Sequence, residues 1–147
     1  KCASVLRYYA DHGADFLADR HVTVEGARAG WSYRPLGVIL AIMPWNSPFW
    51  QIIRFSAPAL AAGCPVVIKR SELTPLCALA LAELAQRAGF PPGVFNVITT
   101  MESAIVGREL TSSRLVRKLS FTGSTGVGKL LLRDCAGTVK KGWGRQA

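Results

Sequence analysis

A glycine-rich stretch of nine residues, FTGSTGVGK, suggests chemistry more directly than any other part of the sequence. Gly123, Gly128 and Lys129 fit the G-x-x-x-x-G-K spacing of a P-loop, whose backbone N–H groups cradle phosphates. The next residue is Leu130, where a P-loop needs a Ser or Thr hydroxyl for Mg²⁺. The glycines also miss the G-x-G-x-x-G spacing of the Rossmann fingerprint. Neither motif is therefore complete.

Two interpretations of this stretch stay open. If a helix begins near Ser124, its first N–H groups and the Ser124 hydroxyl form an anion site that would fit a pyrophosphate. Alternatively, the glycines only allow the preceding strand to pack closely on that helix. The first interpretation predicts a nucleotide ligand, and the second predicts none.

Polar residues follow other apolar runs in the same way. The tripeptide PWN, which ends at Asn46, follows the run GVILAIM, and KRSE, from Lys69 to Glu72, follows PVVI. The Asn46 side chain offers an amide donor, or it caps the helix that follows. The charged residues of KRSE suit either a ligand site or a solvated turn.

A repeating order of apolar strands and helices positions these polar residues. Strands are predicted at four apolar runs: 37–43, 65–69, 94–98 and 116–121. A fifth strand could begin at 138–141. Helices are predicted between them: 49–62, 75–88, 103–110 and a last one from 124. This order predicts an α/β fold, a Rossmann-like parallel sheet with helices on both faces. Ligands of such sheets bind beyond the carboxyl ends of the strands, where the polar stretches lie.

Two of the predicted helices carry specific markers. Thr74 as N-cap, Pro75 at the first position and Gly89 after the end bracket the clearest helix. Its residues Leu76, Ala80, Leu84 and Ala88 recur four apart on one face. Pro58 is expected to kink the preceding helix, because proline cannot donate a backbone hydrogen bond.

Composition and charge argue against several classes of function. Half of the 147 residues are hydrophobic and 18% are charged, which predicts a folded core rather than disorder. No apolar run reaches the roughly 18 residues of a membrane span. The net charge of +9 comes from 18 Lys and Arg residues spread along the chain, without the aromatic-interleaved basic patch of a nucleic-acid binder. We therefore expect neither a membrane nor a nucleic acid as partner.

The four cysteines and two histidines show no metal-ligand spacing. Three of the cysteines lie in apolar surroundings, which is typical of buried, reduced thiols. We therefore expect no metal site and a cytoplasmic protein, with His12 and His21 at the surface.

Four strings together resemble the aldehyde dehydrogenase superfamily: RPLGVILAIMPWNSP, ALAAGCPVVIKRSELTP, AGFPPGVFNVI and KLSFTGSTGVGK. They occur in the family's order and at its spacing from about Tyr33 to Lys141, and the chain most resembles the succinate-semialdehyde dehydrogenases. The resemblance implies an oxidoreductase whose incomplete NAD(P)-binding, Rossmann-like domain covers residues 35–141. Residues 1–34 precede it as a helix and an extended segment, and residues 142–147 form a tail outside the family pattern.

The resemblance also implies coenzyme contacts. Lys69 and Glu72 match the lysine and the acid that hydrogen-bond the adenosine ribose, and Gly123 with Ser124 matches the pyrophosphate site. Four further positions match coenzyme contacts: Met43, Pro44, Trp45 and Ser71. The Glu72 carboxylate repels a 2′-phosphate and so favours NAD. Arg70 stands where the family usually has a small residue or Pro, and its cation would tolerate that phosphate, so NADP stays open.

Two residues acquire roles toward the substrate from the resemblance. Asn46 matches the side-chain amide of the family's oxyanion hole, which stabilises charge on the aldehyde oxygen during thiolate attack. Arg54, eight residues later, falls where semialdehyde dehydrogenases carry an arginine that grips the distal carboxylate. The implied substrate is a small aldehyde, succinate semialdehyde in particular. An arginine on a helix surface is the alternative for Arg54.

Several family features are missing from the 147 residues. The nucleophilic Cys of a Gly-Gln-x-Cys string and the basic Glu of an LELGG string match nothing here, and none of the four cysteines has that setting. The match stops after Lys141, and we interpret the following GWGRQA as out-of-frame or truncated sequence. Thr99, Thr100 and Met101 replace glycines that normally lie near the coenzyme and would crowd that approach.

We therefore expect a coenzyme-binding fragment without dehydrogenase activity, from a whole protein that forms homo-oligomers as the family does. A non-catalytic dinucleotide-binding module and a P-loop phosphate binder are the competing classes.

Overall fold

The computed structural model describes residues 1–138 and the backbone of residues 141–146, and its main feature is a five-stranded parallel sheet with helices on both faces. The elements follow in chain order: α1 (Cys2–Leu17), β1 (Arg20–Val24), β2 (Ala27–Trp31), β3 (Val38–Met43), α2 (Pro48–Ala61), β4 (Val66–Arg70), α3 (Pro75–Arg87), β5 (Phe95–Ile98), α4 (Ser103–Ser112), β6 (Val116–Gly123), α5 (Thr125–Ala136) and β7 (Lys141–Gln146). The predicted α/β class and Rossmann-like parallel sheet are confirmed.

The strand order in this sheet is β5-β4-β3-β6-β7, and all neighbouring strands are parallel. The chain first builds outward from β3 through β4 to β5. It then crosses back, so that β6 pairs with the other side of β3. The direction of winding therefore reverses between β3 and β6, and a doubly wound sheet binds its ligands in the crevice at such a switch point.

Alternate side chains of the central strands enter two separate cores, because successive residues of a strand point to opposite faces. Ile39, Ala41 and Met43 of β3 pack on the face covered by α2 and α3. Leu40 packs on the opposite face, together with Leu131 of α5. Burial on both faces explains why the strand reads as a continuous apolar run.

The predicted helix over 49–62 is observed as α2, which includes Pro58, because proline near a helix end removes only one backbone hydrogen bond. The next helix differs from the expectations in two details. α3 begins after Thr74 as predicted, but the Thr74 side chain makes no capping hydrogen bond. The apolar stripe of α3 lies at the surface, where Leu76 is 76% exposed, whereas Ala78 is the buried residue of this helix.

The amino-terminal segment contains a helix and a hairpin. α1 packs against α2, with Gly13 buried close to Ala61. The stretch predicted as extended is an antiparallel pair, β1 and β2, joined at Gly26, whose φ is 74°. All ten residues of these two strands are exposed.

The carboxyl-terminal strands extend further than predicted. β6 runs to Gly123, two residues beyond the predicted end. β7 begins at Lys141 and includes most of the segment that we predicted as a tail. Val139, Lys140 and Ala147 lie outside the described residues.

Candidate coenzyme and substrate site

The carboxyl ends of four strands meet at one edge of the sheet. Met43 of β3 pairs with Arg70 of β4, and Lys69 pairs with Ile98 of β5. On the other side of β3, Ile42 pairs with Phe121 of β6. The polar stretches after these strands therefore reach the same edge, on both sides of the switch point.

Lys69, Ser103 and Glu72 form a hydrogen-bonded cluster at this edge. The Lys69 Nζ donates to Ser103 Oγ at 2.5 Å, and the Ser103 hydroxyl donates to Glu72 Oε2 at 3.3 Å. Lys69 is buried, at 6% exposure, whereas Glu72 is exposed. These hydrogen bonds therefore connect three elements: Lys69 belongs to β4, Glu72 to the turn after it, and Ser103 is the first residue of α4.

The charges of this cluster influence each other. Burial lowers the pKa of Lys69 by desolvation, and the nearby Glu72 charge opposes that shift. The pKa of Glu72 is lowered, first by a hydrogen bond from its own backbone N–H and then by Lys69 and Ser103. Glu72 is therefore a carboxylate at neutral pH and can accept hydrogen bonds from sugar hydroxyls.

Arg70 does not belong to a solvated turn, and neither does Lys69. The Arg70 side chain is fully buried. Its Nε donates to Thr74 Oγ1 at 3.1 Å, and its Nη2 donates to the Trp45 carbonyl at 3.0 Å. The Arg70 guanidinium therefore points beneath the PWN loop, and the expectation that it would be available to a 2′-phosphate is wrong.

The buried Arg70 cation is incompletely compensated. Its Nη1 is buried without an acceptor among the described residues. Desolvation by burial lowers the pKa of Arg70. The Thr74 hydroxyl is used to satisfy this cation, which explains why it does not cap α3.

The glycines of the stretch 121–129 divide into two groups. A Cβ at Gly123 would lie 2.6 Å from Phe121 Cζ, and one at Gly128 would lie 3.2 Å from Phe121 Cε1. A Cβ at Gly126 would meet no heavy atom within 4 Å. The packing interpretation therefore holds for Gly123 and Gly128, which accommodate the Phe121 ring, whereas Gly126 leaves its backbone open to a ligand.

Ser124 is the N-cap of α5. Its Oγ accepts from the Val127 N–H at 3.4 Å, and its carbonyl accepts from the Gly128 N–H at 3.0 Å. Because this cap uses a lone pair, the hydroxyl proton remains available to donate. The helix dipole also favours an anion at this end. The exposed Ser124 and the open Gly126 backbone thus suit a phosphate group.

Asn46 lies in the loop between β3 and α2. Its Oδ1 is buried and meets no hydrogen-bond donor among the described residues. The next residue, Ser47, has a φ of 46°, a left-handed conformation that is unfavourable for a residue with a Cβ. Such strained positions concentrate at functional sites. Trp45 is largely exposed, and its carbonyl is held by Arg70.

The other expected coenzyme contacts lie at the same edge. Met43 is buried, and its carbonyl accepts from the Ser71 N–H at 3.2 Å. Pro44 is half-buried in the loop that leads from Met43 to Asn46. In the loop after β5, Met101 is 82% exposed and is therefore not part of a core.

Arg54 lies on α2 and reaches toward β6. Its Nη2 donates to Gln51 Oε1 at 2.6 Å and to Thr122 Oγ1 at 3.2 Å. Arg54 and Met43 line a cavity of about 800 Å³ whose other walls come mainly from the apolar face of α2 and the 33–36 segment. None of the expected ribose and pyrophosphate residues lines it, so this cavity is separate from them.

Sequence reasoning missed Ser103 as a member of the site. The only signal was its position at the start of a helix after β5, and a serine there ordinarily serves as a helix cap. Within the described residues, no group of three or more His, Cys, Asp and Glu side chains could hold a metal ion, and no helix has the length and apolarity to cross a membrane.

A model of the aldehyde dehydrogenase family matches residues 1–143. The chain is 50% identical over 143 residues to a succinate-semialdehyde dehydrogenase (NADP(+)) of Escherichia coli K12, covering 95% of this chain and 29% of that protein. It is 55% identical over 143 residues to a glutarate-semialdehyde dehydrogenase of Pseudomonas putida, covering 95% of this chain and 29% of that protein. The crystal structure of succinate-semialdehyde dehydrogenase from Burkholderia pseudomallei matches with a TM-score of 0.88 at 48% identity, covering 96% of this chain and 29% of that one. The chain spans about 30% of the length of the curated relatives it matches.

Proposed function

The chain belongs to the aldehyde dehydrogenase family, and we propose that it supplies the coenzyme-binding part of an enzyme that oxidises an aldehyde to its carboxylic acid with NAD or NADP. One observation carries this proposal. The hydrogen-bonded cluster of Lys69, Ser103 and Glu72 and the open first turn of α5 lie at the same edge of the sheet. A dinucleotide needs both parts, since one suits a ribose diol and the other a pyrophosphate.

The residues at this edge fit such a coenzyme. Lys69 and Glu72 would hold the adenosine ribose, and Gly123 and Ser124 would hold the pyrophosphate. The β3 end and the adjoining turn would border the bound dinucleotide: Met43, Pro44, Trp45 and Ser71. When bound, the coenzyme accepts a hydride from the substrate.

Two further residues would act on the substrate. The Asn46 amide would donate to the aldehyde oxygen as negative charge develops on it. Arg54 would bind a distal carboxylate. The names of the relatives, which act on succinate and glutarate semialdehydes, support a substrate with an aldehyde at one end and a carboxylate at the other.

We propose the same division of the chain into segments as the sequence predicted. Residues 1–34 precede the NAD(P)-binding part at 35–141, and residues 142–147 lie at its end. The four cysteines lack the family setting of the nucleophile, so the 147 residues would bind coenzyme without oxidising aldehyde. We further propose a cytoplasmic, homo-oligomeric whole protein.

Calorimetric titration of this chain with NAD, NADP and Mg-ATP tests the proposal. We expect 1:1 binding of a nicotinamide coenzyme, and no coenzyme reduction when succinate semialdehyde is added. Failure to bind either coenzyme would contradict the proposal. Mg²⁺-dependent ATP binding would instead favour the P-loop interpretation.

A further inference from the structure

We propose that Ser103 is a positioning residue that makes this site selective for NAD, because it fixes Glu72 where a ribose 2′-hydroxyl must bind. The inference rests on the proposed function and goes beyond it by choosing between the two coenzymes. It also assigns a role to a residue outside the motifs that carry the family resemblance.

The direction of the hydrogen bonds supports this role. Ser103 Oγ accepts from Lys69 Nζ at 2.5 Å, so its single proton is the one that reaches Glu72 Oε2 at 3.3 Å. Glu72 Oε1 and two Lys69 protons then remain for a ligand. A vicinal diol, whose hydroxyls both donate and accept hydrogen bonds, matches this acceptor and these two donors.

The position of Ser103 makes it an effective anchor. It is the first residue of α4, a helix whose N-cap residue makes no side-chain capping hydrogen bond. The Ser103 hydroxyl is directed instead to β4 and the turn after it. Glu72 is exposed and would otherwise sample several rotamers, so the hydroxyl reduces the freedom that the carboxylate must lose when ligand binds.

The nearby charges disfavour a 2′-phosphate. A fixed carboxylate at Glu72 would repel it. Of the two adjacent cations, Lys69 already faces Glu72 through Ser103, and Arg70 is buried with its guanidinium turned to the Trp45 carbonyl. The inferred preference for NAD therefore differs from the coenzyme in the name of the E. coli relative, NADP(+).

Titration of Ser103→Ala and Ser103→Thr with NAD and NADP tests the inference on this chain, with thermal unfolding as a check of folding. We expect Ser103→Ala to raise the Kd for NAD by about five- to tenfold, as loss of a charge-assisted hydrogen bond does. The Kd for NADP should change by less than about twofold. Ser103→Thr keeps the hydroxyl and should retain the NAD preference.

A double-mutant cycle with Glu72→Gln separates positioning from general damage. If Ser103 acts through Glu72, Ser103→Ala should not change the NAD to NADP ratio further in the Glu72→Gln background. Equal losses for both coenzymes, or an unchanged NAD affinity in Ser103→Ala, would overturn the inference while leaving the proposed function intact. A wild-type chain that binds neither coenzyme would overturn both.

Discussion

At the scale of residues, identical glycines in one short stretch have different physical roles. Gly123 and Gly128 make room for the Phe121 ring, whereas Gly126 faces open space in the first turn of α5. Spacing alone could not separate these roles, because a P-loop and a strand packed on a helix both require glycine. The side chain that distinguishes them is two residues before the first glycine.

Alanine substitutions at two of these glycines should have opposite effects on stability. Gly126→Ala should raise the free energy of unfolding by about 0.5–1 kcal/mol, since alanine favours a helix and meets no neighbour. Gly123→Ala should lower it by about 1–3 kcal/mol, because the buried Phe121 ring must move. Chemical denaturation measures both.

Gly126→Ala also distinguishes an effect on the stability of the fold from an effect on coenzyme binding. Gly126→Ala should weaken coenzyme binding although it stabilises the fold, because its methyl group occupies the approach to the backbone. Tighter binding by Gly126→Ala would contradict a pyrophosphate at this turn.

The pH dependence of binding should differ between the two coenzymes. Because the pKa of Glu72 is lowered from an ordinary value of about 4.3, Glu72 stays ionised above pH 5 and NAD affinity should be flat from about pH 5.5 to 8. A phosphate monoester gains its second charge near pH 6, so NADP affinity should fall as the pH rises through that value. Titrations at several pH values measure this, and Glu72→Gln should weaken the NADP trend.

Asn46 is expected to act on the chemical step. In a hybrid enzyme where this chain replaces the matching segment of the E. coli relative, Asn46→Ala should reduce kcat by about 10²–10³, the usual effect of removing one oxyanion donor. Ser47→Ala, at the adjacent position, serves as the matched control. Equal kcat values for Asn46→Ala and its parent hybrid would show that the amide only shapes the loop.

At the scale of elements, Arg70 joins three segments that the sequence pattern treats as separate. From the end of β4 it reaches the N-cap of α3 and the loop that carries Asn46. Sequence reasoning placed Arg70 either at a ligand site or in a solvated turn, since a cation after a strand is usually solvated.

Two substitutions of Arg70 should show how much its buried charge and its side-chain volume each contribute to the free energy of unfolding. Arg70→Met should leave the free energy of unfolding within about 1 kcal/mol or raise it, because an uncompensated buried cation is removed while the volume is kept. Arg70→Ala should lower it by about 2–4 kcal/mol through the cavity left behind. Denaturation measures both.

The contacts of Arg70 predict a local effect as well. Amide exchange in residues 44–47 should become faster in Arg70→Met, because the Trp45 carbonyl loses its donor. If Arg70→Met destabilises as much as Arg70→Ala, the cation itself contributes to stability and this account of Arg70 is wrong.

The sequence predicted the types and approximate limits of the main strands and helices, because apolar runs and turn residues are local signals. It did not predict the pairing of β6 with β3, which depends on contacts between residues about 80 positions apart. Nor did it identify the β1–β2 hairpin, although Gly26 occupies the turn position that requires a positive φ. Ser103 was missed for the same reason as the strand order, since its partners lie more than 30 residues away.

At the scale of the whole molecule, much apolar surface lies outside the two cores. Leu76, Leu79 and Leu84 of α3 are exposed, as are all residues of the β1–β2 hairpin. An isolated two-stranded hairpin is marginally stable, and large apolar patches usually mark contacts. We therefore expect this surface to contact other protein segments.

We propose that one nicotinamide dinucleotide spans the sheet edge from the Lys69–Glu72 turn to the first turn of α5. Amide hydrogen exchange of the chain with and without saturating NAD measures this span. We expect slower exchange in residues 69–72 and 124–128 together, and a loss of both effects in Lys69→Met. Protection of neither segment, or protection confined to the cavity beside Arg54, would contradict it.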